Sequence, residues 1–169
     1  IAKAFGGYQL LSLGKRAFTE TFAVMRDVES QMVGISRVLD LSTEATDRLR
    51  DSIFELGKAY GTSFQDTGQI VQTFAQAGYD VSESMELAKS ALLAMNTAEL
   101  DAKNSTQSMI GILKQWGLEA SDLAGIIDKL NYTADNNAVT TQDLVDGMLR
   151  ASGAAKNANI SFDETIGLL

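Results

Sequence analysis

The first part of the chain carries one long apolar stripe, whose members fall three or four residues apart with a mean gap of 3.5. That gap is the coiled-coil period, whereas a single amphipathic helix packed on its neighbours follows a period of 3.6. Three heptads do not separate these interpretations. Residues 1–39 are therefore predicted to form a long helix that is either a seam between copies or a core-facing helix. The stripe consists of Phe18, Phe22, Met25, Val28, Met32, Ile35 and Leu39.

From residue 40 onward, the apolar stripes are shorter and are separated by turn signals. The stripe of Leu49, Ile53 and Leu56, for example, ends before Gly61. Glycine or asparagine recurs where a helix needs a left-handed C-cap, and cap residues then open the next helix. No alternating, strand-like run is present. The fold class predicted is all-α, with consecutive helical hairpins over residues 40–169 in a loosely solenoid-like arrangement. The signals are Gly61, Gly78, Asn96 and Gly117 at helix ends, and Ser63–Asp66, Thr140–Asp143 and Ser161–Glu164 at helix starts.

Four of the turns share one shape. Each has a residue that tolerates left-handed geometry, then an apolar residue, then cap-type and acidic residues. They begin at Asp40, Gly78, Gly117 and Asn159, about forty residues apart. Two helices with two turns fill a spacing of about this length. The pattern indicates either a repeat of about forty residues or a run of helical hairpins that are similar without being repeats.

The composition removes most catalytic chemistry. The chain has no proline, cysteine or histidine. Without proline, a common barrier to long helices is absent. Zinc sites built on cysteine or histidine, and the common nucleophile–base pairs, cannot be formed. The neighbouring carboxylates Asp163 and Glu164 fit a helix start, and Trp116 is predicted to anchor the core. We therefore expect a non-enzymatic protein with no catalytic, cofactor-binding or metal-binding residues.

The formal net charge of −8 disfavours binding to a phosphate backbone, which requires Lys and Arg. No apolar run approaches the roughly 18 residues of a spanning helix. We therefore expect no specific nucleic-acid binding and no membrane span in this segment. The chain starts at Ile1 and stops at Leu169 inside a helix-like pattern, so we expect a piece of a longer protein whose helical region continues past residue 169.

Several segments, taken in order, resemble the core of phage tail tape measure proteins, also called the minor tail protein region. The resemblance covers roughly residues 20–169. It is carried by FAVM at 22–25, VESQM at 28–32, LGKAYGTS at 56–63, FAQAGYDVSES at 74–84, WGL at 116–118, DKL at 128–130, DL at 143–144 and the helix–cap–helix step at 155–165. Asn159 stands where that family usually has glycine, and asparagine can adopt the same left-handed conformation.

The resemblance implies a structural virion protein in the lumen of the tail tube, present in the host cytoplasm during assembly. It implies a scaffold that sets tail length and leaves the tube ahead of the genome. The implied partners are the tail tube protein, tail assembly chaperones and distal tail proteins, and we expect a homo-oligomer. The alternative is a generic α-helical scaffold module that binds partners.

Overall fold

The computed structural model describes residues 25–98 and 102–169. Its described part contains helices and connecting turns and no strand, which confirms the all-α prediction. A 3-10 turn, Ala120–Asp122, directly precedes the sixth helix. The helices are α1 (helical over residues 25–39), α2 (Thr43–Tyr60), α3 (Phe64–Gln76), α4 (Val81–Ala98), α5 (Ala102–Trp116), α6 (Leu123–Asp135), α7 (Thr141–Asn157) and α8 (Phe162–Ile166).

Five connections between helices have the same backbone geometry. Each has a residue with positive φ, and the amide of the following residue donates to a carbonyl five residues earlier, as in a Schellman motif. At Gly117, φ is 69° and the amide of Leu118 donates to the carbonyl of Leu113 at 2.8 Å. This geometry is present at all four turns singled out from the sequence and also after α2. The positive-φ residues are Asp40, Gly61, Gly78, Gly117 and Asn159.

Each of the four predicted turns joins an odd-numbered helix to the next even-numbered one, so the common shape recurs once per pair of helices. At three of them, those at Gly78, Gly117 and Asn159, the next helical segment begins with a reciprocal cap. The amide of Glu83 donates to Asp80 and the amide of Asp80 donates to Glu83, both at 2.9 Å. Ser161 and Glu164 make the same exchange at the start of α8. These bonds satisfy the amides that every helix start leaves without a partner inside the helix.

The helices pack in chain order. Contacts join neighbours such as α2 with α3 and α6 with α7, and they also join helices two apart: α2 with α4, α3 with α5, α4 with α6 and α5 with α7. Each of α4, α5 and α7 therefore contacts both of the helices before it. The solenoid-like arrangement stays a prediction, since these contacts do not by themselves establish a superhelix.

Among the described residues, polar contacts tie a helix, or the turn at its end, to one two helices away. Asn96 donates to the carbonyl of Tyr60 at 3.3 Å, and Lys114 donates to the carbonyl of Ala77. Ser152 donates to Gln115 at 2.6 Å, and Lys129 pairs with Asp163 at 2.6 Å. The partners are 34 to 37 residues apart in the chain. Local sequence patterns carry no signal for such contacts, so they could not be predicted from the sequence.

One buried cluster runs through the described helices from Met32 to Phe162. Its largest fully buried side chains include Phe74, Leu92 and Met148, and burying a side chain of this size contributes about 1.5–3 kcal/mol. Trp116 meets Phe162 edge to face, with ring centroids 5.4 Å apart, and packs against this cluster as predicted. The division of the chain at residues 39 and 40 stays a prediction, although Met32 and Ile35 of α1 belong to the same cluster as the later helices.

Candidate functional site: the seam positions and a glutamine face

The predicted seam lies only partly within the described residues. Phe18 and Phe22 lie outside them. Of the rest, Met32 and Ile35 are 4% and 0% exposed in the chain's own core, and Leu39 packs against that core. Met25 is 60% exposed. The described part of the stripe is therefore largely occupied by intramolecular packing. A seam between copies stays a prediction for the remaining positions.

The carboxylates at the helix starts are engaged in capping. The hydroxyl of Thr140 donates to Asp143 at 2.6 Å and its amide at 3.1 Å, and these bonds hold the pKa of Asp143 below its ordinary value. The amide and then the hydroxyl of Ser161 lower the pKa of Glu164 in the same way. Both groups are fully exposed. Within the described ranges, no three or more Asp or Glu side chains are grouped closely enough to hold a metal ion.

A cluster around Tyr79 closes the turn after α3. Its ring meets Phe74 edge to face at 6.2 Å, and the Nζ of Lys114 lies 6.0 Å from the ring centroid. Burial, followed by the negative charges of Glu83 and Glu119, raises the pKa of Tyr79. The raised pKa keeps the hydroxyl of Tyr79 neutral. Through its contacts with Phe74 and Lys114, the ring links the end of α3 to α5.

The outer side of α3 carries a row of glutamines. Their spacing of four, three and four residues places them on one line along the helix. Gln69 and Gln76 are exposed, and Gln65 and Gln72 are half-buried. The only charged side chain among the 13 residues of α3 is Asp66. We call this row, Gln65, Gln69, Gln72 and Gln76, the glutamine face.

Two grooves flank the glutamine face. The one toward α1 has a volume of about 330 Å³ and is lined by polar residues including Ser30 and Gln31. The one toward α5 has a volume of about 470 Å³ and includes Gln107 in its lining and Ile70, which is 3% exposed. The glutamine face is therefore a ridge with a groove on each side, and the lining of each groove includes one aspartate.

Two glycines let α1 approach α3 beside this ridge. A Cβ at Gly34 would lie 2.9 Å from the Nε2 of Gln72, and a Cβ at Gly68 would lie 3.1 Å from the Cδ of Gln31. Each helix thus offers a notch to a glutamine of the other. The sequence alone does not distinguish this face, because glutamine at helical spacing is also typical of an ordinary solvated surface.

Comparison with known proteins identifies the family. The sequence model of the phage-related minor tail protein family matches residues 50–169, more than two thirds of the chain. The chain belongs to this family. This tail protein is also 23% identical to the tape measure protein of Pneumococcus phage Dp-1 over 142 residues, which cover 84% of the chain and 12% of that relative. The tail protein thus spans about an eighth of the relative's length. No solved structure matches it.

Family membership makes the chain a phage tail protein associated with the virion. The matched segment begins within α2 and includes the glutamine face and every helix from α3 to α8. None of the helices that the structure describes in this tail protein is long and apolar enough to cross a membrane.

The structure gives a physical reason for the segment at 56–63 that carried the resemblance. Gly57 is buried where α2 ends, and a Cβ there would lie 2.9 Å from both the carbonyl of Thr62 and the hydroxyl of Thr67. Gly61 then takes the left-handed conformation, and Ser63 caps α3. A helix end, a tight turn and a helix start are thus packed into eight residues of the tail protein.

Proposed function

We propose that this chain is a segment of a tape measure scaffold that sets tail length while the tail tube assembles and leaves the tube ahead of the genome. The observation that carries the proposal is the match to a tape measure protein of which 142 aligned residues are only 12%. The described part of this chain is helical, and the length of a helix is proportional to its number of residues, which suits a segment of a ruler.

The proposal places the chain in the tail tube lumen, and in the host cytoplasm before the tail closes around it. Its partners are the tail tube protein, the assembly chaperones and the distal tail proteins. No catalytic step is assigned to it. The absence of cysteine and histidine and the use of carboxylates as helix caps support a structural role.

The common turn allows a sharp test of the ruler. Deleting residues 79–117 in the phage joins Gly78 directly to Leu118, so one left-handed turn replaces another and α3 is followed by α6. The deletion removes 39 residues. If the segment is laid out as continuous helix in the tail, tails should shorten by about 58 Å, at about 1.5 Å per residue. If it stays folded as stacked helices, the shortening should be on the order of 10–20 Å, because packed helix axes lie 8–10 Å apart.

A length-matched control distinguishes tails that are short because the ruler is shorter from tails that are short because assembly fails. In the control, residues 79–117 are replaced by an unrelated helical sequence of the same length, which should restore tail length if the segment acts by the length it occupies. Tail lengths are measured by electron microscopy of purified virions. Tails of unchanged length from the deletion phage would refute the proposal for this segment.

A further inference from the structure

We propose that residues 40–158 consist of three interchangeable units of about forty residues, so that the fold can lose or gain a whole unit and keep its core. Each unit begins at a left-handed turn residue and contains two helices: α2 and α3, then α4 and α5, then α6 and α7. The sequence left open whether these are repeats or similar hairpins. The inference concerns the folding of the purified chain and does not rest on the tail-length proposal.

The core positions recur at the same distances from the turn residues. Nine and thirteen residues after each turn residue, the first helix of the unit has an apolar side chain that is at most 5% exposed. Four and eleven residues before the next turn residue, the second helix again has buried side chains. In the first helices these are Leu49 and Ile53, Leu87 and Ala91, and Ile126 and Leu130, and in the second helices they are Phe74 and Thr67, Leu113 and Thr106, and Ala155 and Met148. Similar hairpins need only a matching turn, whereas interchangeable units need matching cores.

The contacts between units recur as well. The first helices lie side by side in one layer, α2 against α4 and α4 against α6, and the second helices form another layer, α3 against α5 and α5 against α7. Among α2 to α8, the main contacts join helices that are at most two apart in chain order. In a fold of this kind, stability is approximately the sum of the unit stabilities and the contacts between neighbouring units. Removing the middle unit therefore brings together two surfaces that already pack against equivalent surfaces.

A polar contact between units shows which residues are equivalent. Ser152 of α7 donates to Gln115 at 2.6 Å, and Gln115 lies two residues before the turn residue Gly117. A comparable bond joins α5 to the end of α3. Gln76 lies two residues before Gly78, so the first unit has a glutamine where the second unit has Gln115. Without the second unit, Ser152 should pair with Gln76 instead.

Deleting residues 79–117 from the purified chain removes one unit and joins Gly78 directly to Leu118. A turn glycine is then again followed by an apolar residue. We expect one cooperative transition in urea, at a lower midpoint than the parent's, because one set of contacts between units is lost. Helix content per residue, measured by circular dichroism, should stay within about 10% of the parent's because the remaining helices keep their packing.

The matched control is a deletion of residues 62–78, which removes only 17 residues and joins Gly61 to Tyr79. A left-handed glycine still follows α2. However, α4 then takes the place of α3, and every later helix moves to the other layer. We expect this smaller deletion to abolish the cooperative transition. Hairpins that are similar without being repeats would tolerate it at least as well as the larger deletion.

An insertion tests the units without making the chain smaller. A second copy of residues 79–117 placed after Gly117 adds one unit and keeps a turn glycine at both joins. The urea midpoint should be at least as high as the parent's, because the added unit contributes its own packing and one more contact between units.

A double-mutant cycle with Ser152→Ala and Gln76→Ala tests the predicted exchange of partners. In the chain that lacks residues 79–117, the two positions should couple by about fivefold in the folding equilibrium constant, as expected for a neutral hydrogen bond. In the parent they should not couple, because Ser152 pairs with Gln115 there. The proposal would be overturned by an insertion chain less stable than the parent, or by a 62–78 deletion as cooperative as the larger one. Absence of coupling between Ser152 and Gln76 in a folded deletion chain would overturn it as well.

Discussion

At the scale of single residues, close packing explains positions whose side chains carry no chemistry. Gly57 is buried between the end of α2 and the start of α3, where a Cβ would lie 2.9 Å from a backbone carbonyl that cannot move freely. Gly125 lies in α6 with open space around it. The same substitution should therefore have opposite effects at the two glycines.

We predict that Gly57→Ala lowers the free energy of unfolding by about 1–3 kcal/mol, because the added methyl forces the turn apart. Gly125→Ala should raise it by up to about 1 kcal/mol, because alanine favours the helix and meets no neighbour. Urea denaturation followed by circular dichroism measures both. Equal effects at the two positions would show that the α2–α3 contact is looser than described.

A second prediction at this scale concerns the caps. The pKa of Asp143 is lowered in the folded chain, so the stabilisation from its cap is fully present above the carboxyl's unfolded pKa and is lost as the pH falls through the folded pKa. In Thr140→Ala, the hydroxyl that contributes most to the shift is removed, and the pKa of Asp143 should rise toward its ordinary value. The pKa of Glu164, lowered by Ser161, should not change. NMR titration of the side-chain carboxyl carbons tests this, and an unchanged Asp143 would contradict the capping assignment.

At the scale of the elements, the recurring turn determines how each pair of helices is joined. Gly117 has a φ of 69°, and a Cβ placed there would have no atom within 4 Å. A side chain at this position would therefore lower the stability only through the left-handed backbone conformation, not through a steric clash. Asn159 takes the equivalent conformation with a φ of 55°.

We predict that Gly117→Ala costs about 1–2 kcal/mol of stability, the ordinary penalty for a left-handed alanine. Gly117→Asn should cost less than half as much, because asparagine tolerates this region. Asn159→Gly serves as the reverse control and should stay within about 0.5 kcal/mol of the parent. Thermal and urea unfolding give these values. A Gly117→Ala variant as stable as the parent would mean that the turn relaxes to another conformation.

At the scale of the whole molecule, charge determines which partners are accessible. The chain has 14 Lys and Arg against 22 Asp and Glu. We predict no binding to duplex DNA at physiological salt, because phosphate contacts from Lys and Arg supply most of the non-specific affinity. A filter-binding or fluorescence anisotropy titration with a basic DNA-binding domain as the positive control tests this. Sub-micromolar, salt-sensitive binding would contradict it.

The sequence was sufficient wherever a feature depends on neighbouring residues. The apolar stripe of α2, the caps at Ser63 and Ser161, and the left-handed positions at Asp40 and Asn159 all follow from local spacing and backbone preference. The all-α fold was predicted for the same reason. The family was suggested by the order of such segments and was confirmed by the match over residues 50–169.

Only the tertiary structure decided what depends on distant residues. It showed that Met32 and Ile35 face the chain's own core, a choice that a mean gap of 3.5 residues leaves open. It brought Lys114 to the end of α3 and Lys129 to Asp163 across more than thirty residues of chain. It also left the glutamines of α3 on an outer ridge between two grooves. Helical periodicity tells which residues share a side of a helix, but packing against other helices determines which sides are covered.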